Sequence, residues 1–178
     1  MTRKKGAVQV ALVSLSAALL VVSSWISIPF GAVPVTLQTF VIYVSAVVLG
    51  TKKSVAAVAV YLLLGILGVP VFSGFRGGFS TLLGATGGYI AGFVLIALVA
   101  GLITERFGKK RVVMFISFIT GTLLCYVTGT LWYVFVYLDG AGAAGVIASC
   151  VLPFIIPDVI KSLLATFVAK AVAERSFR

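Results

Sequence analysis

The chain has 178 residues, of which 61% are hydrophobic and 10% are charged, and its mean hydropathy is +1.23. A soluble domain of this size needs more polar surface than this composition supplies, so the sequence indicates an integral membrane protein. The net charge is +10, and the absence of histidine excludes histidine metal sites, histidine-containing catalytic triads and imidazole bases.

The first uncharged stretch is too long for one membrane helix. Residues 6–51 contain no acidic or basic side chain, whereas one crossing helix needs about 20 residues. Two prolines and a glycine at 28–34 favour a turn, so the stretch predicts two spans. The apolar run that follows the basic N-terminus exceeds the roughly 7–15 residues of a secretory signal core, and we therefore expect a retained first helix.

Later apolar segments complete the predicted architecture. Three uncharged runs each predict a span, and the last apolar stretch predicts another although it carries Asp158 and Lys161. We expect one all-α membrane domain over residues 1–178, arranged as a six-helix bundle. The predicted spans cover approximately residues 7–27, 35–50, 54–69, 81–103, 112–137 and 150–172.

Basic residues are distributed unevenly between the two ends of this bundle. Apart from Arg76 and Lys161, all lie at the termini, between spans 2 and 3, or between spans 4 and 5. By the positive-inside rule, both termini are expected in the cytoplasm of a multi-pass protein of the cell membrane. The positive charge then reflects topology and attraction to the lipid bilayer, and it does not indicate nucleic acid.

The acid and the base of the sixth segment are its most informative feature. At an i, i+3 spacing Asp158 and Lys161 share one helix face, and each costs about 2.5–3.5 kcal/mol at the centre of a membrane helix. Either a helix runs through the preceding Pro157, or Pro157 is the first helical residue and Asp158 lies in the first turn. We interpret the pair as a ligand or pathway site, with a purely structural ion pair as the alternative.

Residues 65–93 are rich in glycine and contain the single basic residue expected on the outer side. The connecting loop, near 69–80, is expected to be a bendable lid in which Arg76 binds an anionic group, with an exposed loop arginine as the alternative. Aromatic rings of this segment would cover apolar surface of a ligand. The rings concerned are those of Phe72, Phe75 and Phe79.

The glycines at the end of this segment form a helical stripe. Gly84, Gly88 and Gly92 recur every four residues, which favours close packing of two helices. Positions beside the stripe could offer hydroxyl groups or bare backbone to a ligand. These positions are Thr86, Gly87 and Tyr89.

A third polar stretch opens the second span, where Thr36, Gln38 and Thr39 follow Pro34. The glutamine either contacts a ligand or hydrogen-bonds a neighbouring helix. Together with the two segments above, this stretch predicts a polar pocket that opens outward and has apolar walls. A small molecule with a polar head and a carboxylate would suit such a pocket.

Nucleotide and thiol chemistry are not indicated by the remaining sequence. Cys125 and Cys150 lie in apolar runs without metal-ligand spacing and are expected to be packing residues. No phosphate-binding loop is present, because Lys110 stands after Gly108 and Lys109 where that motif requires Ser or Thr. Any ATP-driven transport would therefore need another subunit.

Four short motifs occur in order within residues 34–161: PVTLQTF at 34–40, GVPVF at 68–72, GATGGYIAGF at 84–93 and PDVIK at 157–161. In a six-span protein with a basic inner side, they resemble the BioY family, the biotin-specific S components of energy-coupling factor vitamin transporters. Many relatives have proline in place of Ala85. The resemblance implies six membrane helices, a biotin site formed by outer loops and helices 4 and 6, and no enzymatic activity or cofactor. It also implies a membrane coupling (T) subunit and two ATP-binding cassette ATPases as partners.

By position, the resemblance assigns roles to the charged residues. Asp158 would accept hydrogen bonds from the ureido N–H groups of biotin, and Lys161 would donate to the ureido oxygen or balance the acid. Arg76 would bind the valerate carboxylate, although either cation can take that role. The residues that would complete the pocket are Gln38, Thr86, Gly87 and Tyr89.

Small side chains in the first span repeat at helical spacing and form a smooth face on which another helix could pack closely. The resemblance implies that this face docks on the coupling subunit, and internal packing is the alternative. The residues of this face are Ala7, Ala11, Ser14 and Ala18.

Three other functions remain open from the sequence. The chain could be an S component for a different small vitamin, which would keep the fold and change the pocket. It could be an intramembrane enzyme that uses Asp158 and Lys161 as acid and base. It could also be a non-catalytic membrane assembly protein that binds no small ligand.

Overall fold

The computed structural model describes residues 2–29, 33–137 and 143–176, and within these ranges the chain is almost entirely helical, as its apolar runs predict. One short antiparallel ribbon pairs Ser27 with Thr36 and Ile28 with Val35. The elements are α1 Thr2–Trp25, β1 Ser27–Ile28, β2 Val35–Thr36, α2 Gln38–Leu49, α3 Thr51–Ile66, α4 Phe79–Leu83, α5 Gly87–Phe107, α6 Arg111–Trp132, a π-helical segment Tyr133–Tyr137, α7 Ala143–Cys150 and α8 Leu152–Ser176.

Within the described ranges, four helical segments are long and apolar enough to cross a membrane. The shorter α2 and α3 have 12 and 16 residues, compared with the roughly 20 that a perpendicular crossing helix needs. The chain is therefore a membrane protein with several crossing helices. The four long segments are Gly6–Trp25, Gly87–Phe107, Arg111–Val136 and Gly145–Arg175.

The helix bounds differ from the predicted spans at three places. The second helix begins at Gln38, because residues 35–36 pair with residues 27–28 as a strand. The fourth predicted span is divided into α4 and α5, since Gly84 has extended backbone angles and ends α4. The short helix α7 precedes the sixth predicted span, and α8 covers that span from Leu152 onward. Each break lies near a Gly-rich or Pro-rich stretch, where hydropathy alone carries no signal of helix ends.

The helix α8 runs through Pro157, so the alternative in which Pro157 begins a helix is wrong. The helix starts five residues earlier, at Leu152, and Asp158 lies beyond its first turn. The dipole of the helix N-terminus acts mainly on the first turn and is not the main source of stabilisation for the Asp158 charge. That stabilisation must come from neighbouring side chains.

The helix α2 occupies the centre of the bundle and contacts α1, α3, α5 and α8. Its apolar side chains Ile42, Tyr43, Ala46 and Val47 are at most 1% exposed, which agrees with the absence of charged residues from this helix. The Tyr43 hydroxyl is buried as well and forms a hydrogen bond with the hydroxyl of a threonine on α6. The central position of α2 brings its first residues against α8, where the acid and base lie.

The helices α5 and α6 form a hairpin joined by residues 108–110, and two glycines of the predicted stripe, Gly88 and Gly92, lie at their contact. The third, Gly84, precedes α5 and is not part of a continuous helical stripe. A Cβ atom at Gly88 would overlap the Cβ of Trp132 and lie 2.8 Å from the carbonyl oxygen of Thr128. A Cβ at Gly92 would lie 2.8 Å from the sulfur of Cys125. Both glycines therefore permit close approach of the helices, as the four-residue spacing predicts.

Alanine in place of Gly88 is expected to destabilise the protein by about 1–3 kcal/mol, because the added methyl group meets helix backbone that cannot move independently. Thermal unfolding in detergent would measure the loss. Gly6→Ala is the matched control, since no heavy atom lies within 4 Å of the added Cβ. Equal unfolding temperatures for the two variants would contradict a packing role for Gly88.

Candidate functional site

Asp158 and Lys161 form a buried ion pair on α8, with 5% and 7% of their surfaces exposed. One oxygen of the carboxylate, Oδ1, contacts the ammonium group of Lys161 and accepts a hydrogen bond of 3.3 Å from the hydroxyl of Thr39 on α2. The other oxygen, Oδ2, accepts a hydrogen bond of 2.5 Å from the hydroxyl of Tyr126 on α6. Three helices therefore meet at one carboxylate.

Lys161 is held by a second group besides the acid. Its ammonium nitrogen donates to the carbonyl oxygen of Thr36, at 3.0 Å, on the strand that precedes α2. Breaking such a buried pair by removing one partner costs about 3–5 kcal/mol, since the other charge is left uncompensated. The pair thus contributes to the stability of the fold. Whether a ligand can also reach it depends on the cavities beside it.

A cavity of about 460 Å³ adjoins the ion pair. Its wall includes the acid and the base together with hydroxyl groups from α2 and α6, and apolar side chains make up most of the remainder. We call it the aspartate cavity. The residues that define it are Asp158, Lys161, Thr39, Thr122, Tyr126, Cys125 and Cys150.

A second cavity of about 480 Å³ adjoins the aspartate cavity and contains Arg76 in its wall. The two share Val33, Pro34, Thr36, Tyr89 and Phe93 as wall residues. We call it the arginine cavity, defined by Arg76, Gln38, Tyr61, Ser73, Thr81 and Thr86.

Gln38 is fixed in the wall of the arginine cavity and is 4% exposed. Its amide nitrogen donates to the hydroxyl of Tyr61 on α3 at 2.6 Å, and its amide oxygen accepts from the hydroxyl of Thr36 at 3.0 Å. The glutamine therefore hydrogen-bonds a neighbouring helix and lines a cavity at the same time. The two alternatives drawn from the sequence are compatible.

The loop that carries Arg76, residues 67–78, forms a tight hairpin. The backbone N–H of Phe72 donates to the carbonyl of Arg76 at 2.9 Å, and Gly78 N–H donates to the carbonyl of Gly65 at 2.7 Å. Phe75 adopts a left-handed backbone angle, φ 56°, at the turn, which is unusual for a residue with a side chain. The loop is therefore internally hydrogen-bonded, whereas its glycine content predicts a bendable segment.

The aromatic residues of this loop do not act together as the sequence predicts. Phe72 is 1% exposed, lines the arginine cavity and packs edge-on against Tyr61 with ring centroids 5.5 Å apart. Phe75 and Phe79 are 65% and 58% exposed and are not wall residues of either cavity. The prediction of a three-ring cover is wrong for these two residues, because the left-handed turn directs Phe75 onto the Trp25 ring.

The same loop is attached to the end of α1. The hydroxyl of Ser24 donates to the carbonyl of Val71 at 2.5 Å, and the indole N–H of Trp25 donates to the carbonyl of Pro70 at 3.0 Å. The rings of Trp25 and Phe75 stack with centroids 5.1 Å apart. Trp25 thus anchors this loop.

The structure brings most of the predicted ligand residues to the two cavities. Asp158 and Lys161 line the aspartate cavity, Arg76, Gln38 and Thr86 line the arginine cavity, and Tyr89 lines both. Gly87 is not among the wall residues of either cavity. It lies at the start of α5, where a Cβ atom would overlap the carbonyl oxygen of Leu82.

The small residues of α1 lie on its exposed side. Ala7, Ala11, Ser14 and Ala18 are exposed, whereas Ala17 and Leu20 are buried against the bundle. The stripe is therefore not used for packing between the described helices of this chain.

Several wall residues were not identified as ligand residues from the sequence, among them one tyrosine and two cysteines. Tyr126 contacts Asp158, and the two cysteines predicted as packing residues line the aspartate cavity while remaining buried. The available signal for Tyr126 was a phenol in the middle of an apolar span, because a buried tyrosine hydroxyl usually finds a partner. Among the described residues, no group of three or more His, Cys, Asp and Glu side chains could hold a metal ion.

Comparison with known proteins assigns the chain to a family. A model of the BioY family matches residues 1–178. The biotin transporter BioY of Thermotoga maritima is 43% identical over 153 residues, which cover 85% of this chain and 88% of that protein. The probable biotin transporter BioY of Pyrococcus horikoshii is 39% identical over 163 residues, covering 91% and 94%.

The fold has a counterpart among solved structures. A crystal structure of the S-component for biotin from an ECF-type ABC transporter superposes with a TM-score of 0.88 at 23% sequence identity, over 98% of this chain and 95% of that one. The helix bundle, with its α8 ion pair, is thus built on the S-component fold. The family-model match over the whole length and the two relatives above show that the chain belongs to the BioY family.

Proposed function

We propose that this chain is the substrate-binding S component of an energy-coupling factor transporter and that it binds biotin from the outer side of the membrane. The observation that carries the proposal is the buried Asp158–Lys161 pair in the wall of a cavity that adjoins a second cavity containing Arg76. An elongated ligand with a polar head and an acidic tail would find a charged group near each end. Family relatives are named as biotin transporters, which supports biotin as that ligand.

Each part of biotin has a candidate partner in this arrangement. The carboxylate of Asp158 accepts from ureido N–H groups, and Lys161 donates to the ureido oxygen or balances the acid. Apolar wall residues such as Phe93 enclose the ring and the aliphatic chain. Arg76 binds the valerate carboxylate. The residues that complete the contacts are Gln38, Thr86 and Tyr89, with Gly87 supplying close backbone packing beside them.

The proposed topology has six crossings and both termini in the cytoplasm. Each of the divided segments, α4 with α5 and α7 with α8, then counts as one crossing. The basic residues between α2 and α3 and between α5 and α6 lie on the inner side, as the positive-inside rule requires. Arg76 consequently lies on the outer side, where the ligand enters.

Import needs partners, because no phosphate-binding loop is present in this sequence. We infer a membrane coupling (T) subunit and two ABC-type ATPases, in agreement with the ECF-type description of the matched structure. The exposed small-residue face of α1, centred on Ala11 and Ser14, supports docking of the coupling subunit there. No enzymatic step is assigned to this chain.

Calorimetric titration of the purified protein in detergent tests the proposal. We expect biotin to bind with one molecule per chain, and thiamine, riboflavin and folate to produce no heat of binding. Binding of another vitamin instead of biotin would identify an S component of different specificity. Absence of binding to any member of the panel would favour the non-catalytic assembly protein.

The variant Arg76→Ala tests whether Arg76 or Lys161 binds the carboxylate of biotin. If Arg76 binds the valerate carboxylate, the variant loses about tenfold in affinity for biotin and keeps its affinity for biotin methyl ester, because a charge-assisted hydrogen bond is lost only with the free acid. Titration with both compounds measures the difference. If Lys161 takes the carboxylate, Arg76→Ala will leave both affinities unchanged.

A further inference from the structure

The two carboxylate oxygens of Asp158 differ in how far their hydrogen-bonding capacity is used. Each oxygen has two lone pairs. Oδ1 contacts both Lys161 and Thr39, which occupies its capacity. Oδ2 accepts the short bond from Tyr126 and keeps one lone pair available among the contacts of the described residues. A ligand N–H that approaches this carboxylate without displacing a protein group must therefore bind Oδ2.

Tyr126 also lies at a boundary between two environments. On one side is the aspartate cavity, and on the other is an apolar groove of about 450 Å³ between α6 and α8. Tyr126, Asp158 and Thr122 contribute to the walls of both. The groove is otherwise lined by aliphatic side chains, of which Leu123 is 56% exposed.

This position makes the direction of the carboxylate energetically important. An ionised oxygen turned toward an aliphatic groove loses its hydration without gaining a donor, which is strongly unfavourable. The phenol of Tyr126 supplies a donor to Oδ2 at 2.5 Å and so fixes the plane of the carboxylate. Without that donor, the Asp158 side chain is free to rotate toward Lys161 and use both oxygens for the ion pair.

We propose that Tyr126 is a positioning residue that orients Asp158 so that the remaining lone pair of Oδ2 faces the aspartate cavity and accepts an N–H of the ligand head group. The inference rests on the proposed function, since it specifies how Asp158 recognises the substrate. Tyr126 acts through Asp158 and need not touch the ligand.

A double-mutant cycle tests the proposal with biotin titrations of the wild-type protein, Tyr126→Phe, Asp158→Asn and the double variant. We expect Tyr126→Phe to weaken binding by about tenfold, because a carboxylate that Tyr126 no longer orients loses its hydrogen bond from the ligand N–H. In the Asp158→Asn background the same change should have no further effect. Equal affinities of wild type and Tyr126→Phe, or losses that multiply independently, would overturn the proposal.

Biotin methyl ester provides a further readout in the same cycle. Because Tyr126 acts at the head group, Tyr126→Phe should weaken biotin and its methyl ester by the same factor. A loss confined to the free acid would overturn the assignment to the head group. If the wild-type protein itself fails to bind biotin, the proposed function fails first, and the two failures are thus distinguishable.

A measurement on the wild-type protein tests the same proposal without requiring that the variant Tyr126→Phe folds. The chain has two aspartates, Asp139 and Asp158, so labelling aspartate carboxyl groups with ¹³C gives two resonances to assign. We expect a slowly exchanging phenol proton that correlates with the Asp158 carboxyl and persists when biotin binds. Absence of that proton, or its disappearance on binding, would show that Tyr126 does not hold Asp158 in the complex.

Discussion

Asparagine in place of Asp158 is expected to weaken biotin binding by about 100-fold. A hydrogen bond to a charged group contributes about 1.5–3 kcal/mol, and the ureido N–H groups would lose the anionic acceptor. The variant also leaves Lys161 buried without its partner, which destabilises the ligand-free protein by about 3–5 kcal/mol. Calorimetric titration and thermal unfolding of the same preparation measure both effects.

The variant Asp158→Asn/Lys161→Met separates a ligand role from a structural role. Removing both charges should restore stability close to that of the wild type, because neutral replacement of a buried ion pair is often tolerated. Biotin affinity should remain low, since the acceptor and the donor are both absent. If the pair only stabilises the bundle, the double variant will bind biotin as the wild type does, and the proposed site will be wrong.

Tryptophan in place of Ala11 is expected to abolish biotin uptake by cells that carry the partner subunits, while biotin binding to the isolated chain stays unchanged. Ala11 is exposed on α1, so the larger ring does not disturb packing within the bundle. It would prevent close approach of a partner helix to the small-residue face. Uptake of radiolabelled biotin and titration of the purified variant measure the two quantities.

Leu102→Trp is the matched control for this experiment. Leu102 lies near the basic end of α5 and is 50% exposed, so the substitution introduces the same ring at an exposed position outside α1. Its uptake should equal that of the wild type. Loss of both uptake and binding in Ala11→Trp would indicate an internal packing role, and normal uptake would contradict docking at this face.

Hydropathy and a few polar residues were sufficient to predict much of this protein. Long uncharged runs predict the helical class, because a membrane leaves the backbone few other ways to satisfy its hydrogen bonds. A charged pair at i, i+3 in an apolar helix indicates a built site, and Asp158 and Lys161 do lie beside a cavity. In both cases the sequence is informative because only a few structures avoid a large energetic cost, either of unpaired backbone groups or of buried charges.

Features that depend on contacts between helices could not be predicted in this way. Tyr126 reaches Asp158 because α6 packs beside α8, and sequence spacing contains no information about that contact. The break at Gly84 and the left-handed turn at Phe75 depend on local backbone choices that hydropathy does not represent. The prediction that the Phe75 ring covers a ligand was wrong for this reason, and the course of α8 through Pro157 could only be left as one of two alternatives.

The attachment of the Arg76 loop to α1 limits how the site can open. Lifting residues 67–78 away from the arginine cavity must either break the hydrogen bonds from Ser24 and Trp25 or carry the end of α1 along with the loop. In the first case the barrier to ligand exchange includes the loss of these bonds. In the second, α1 tilts against its neighbours as a rigid body together with the loop, and this movement also shifts the small-residue face that contains Ala11.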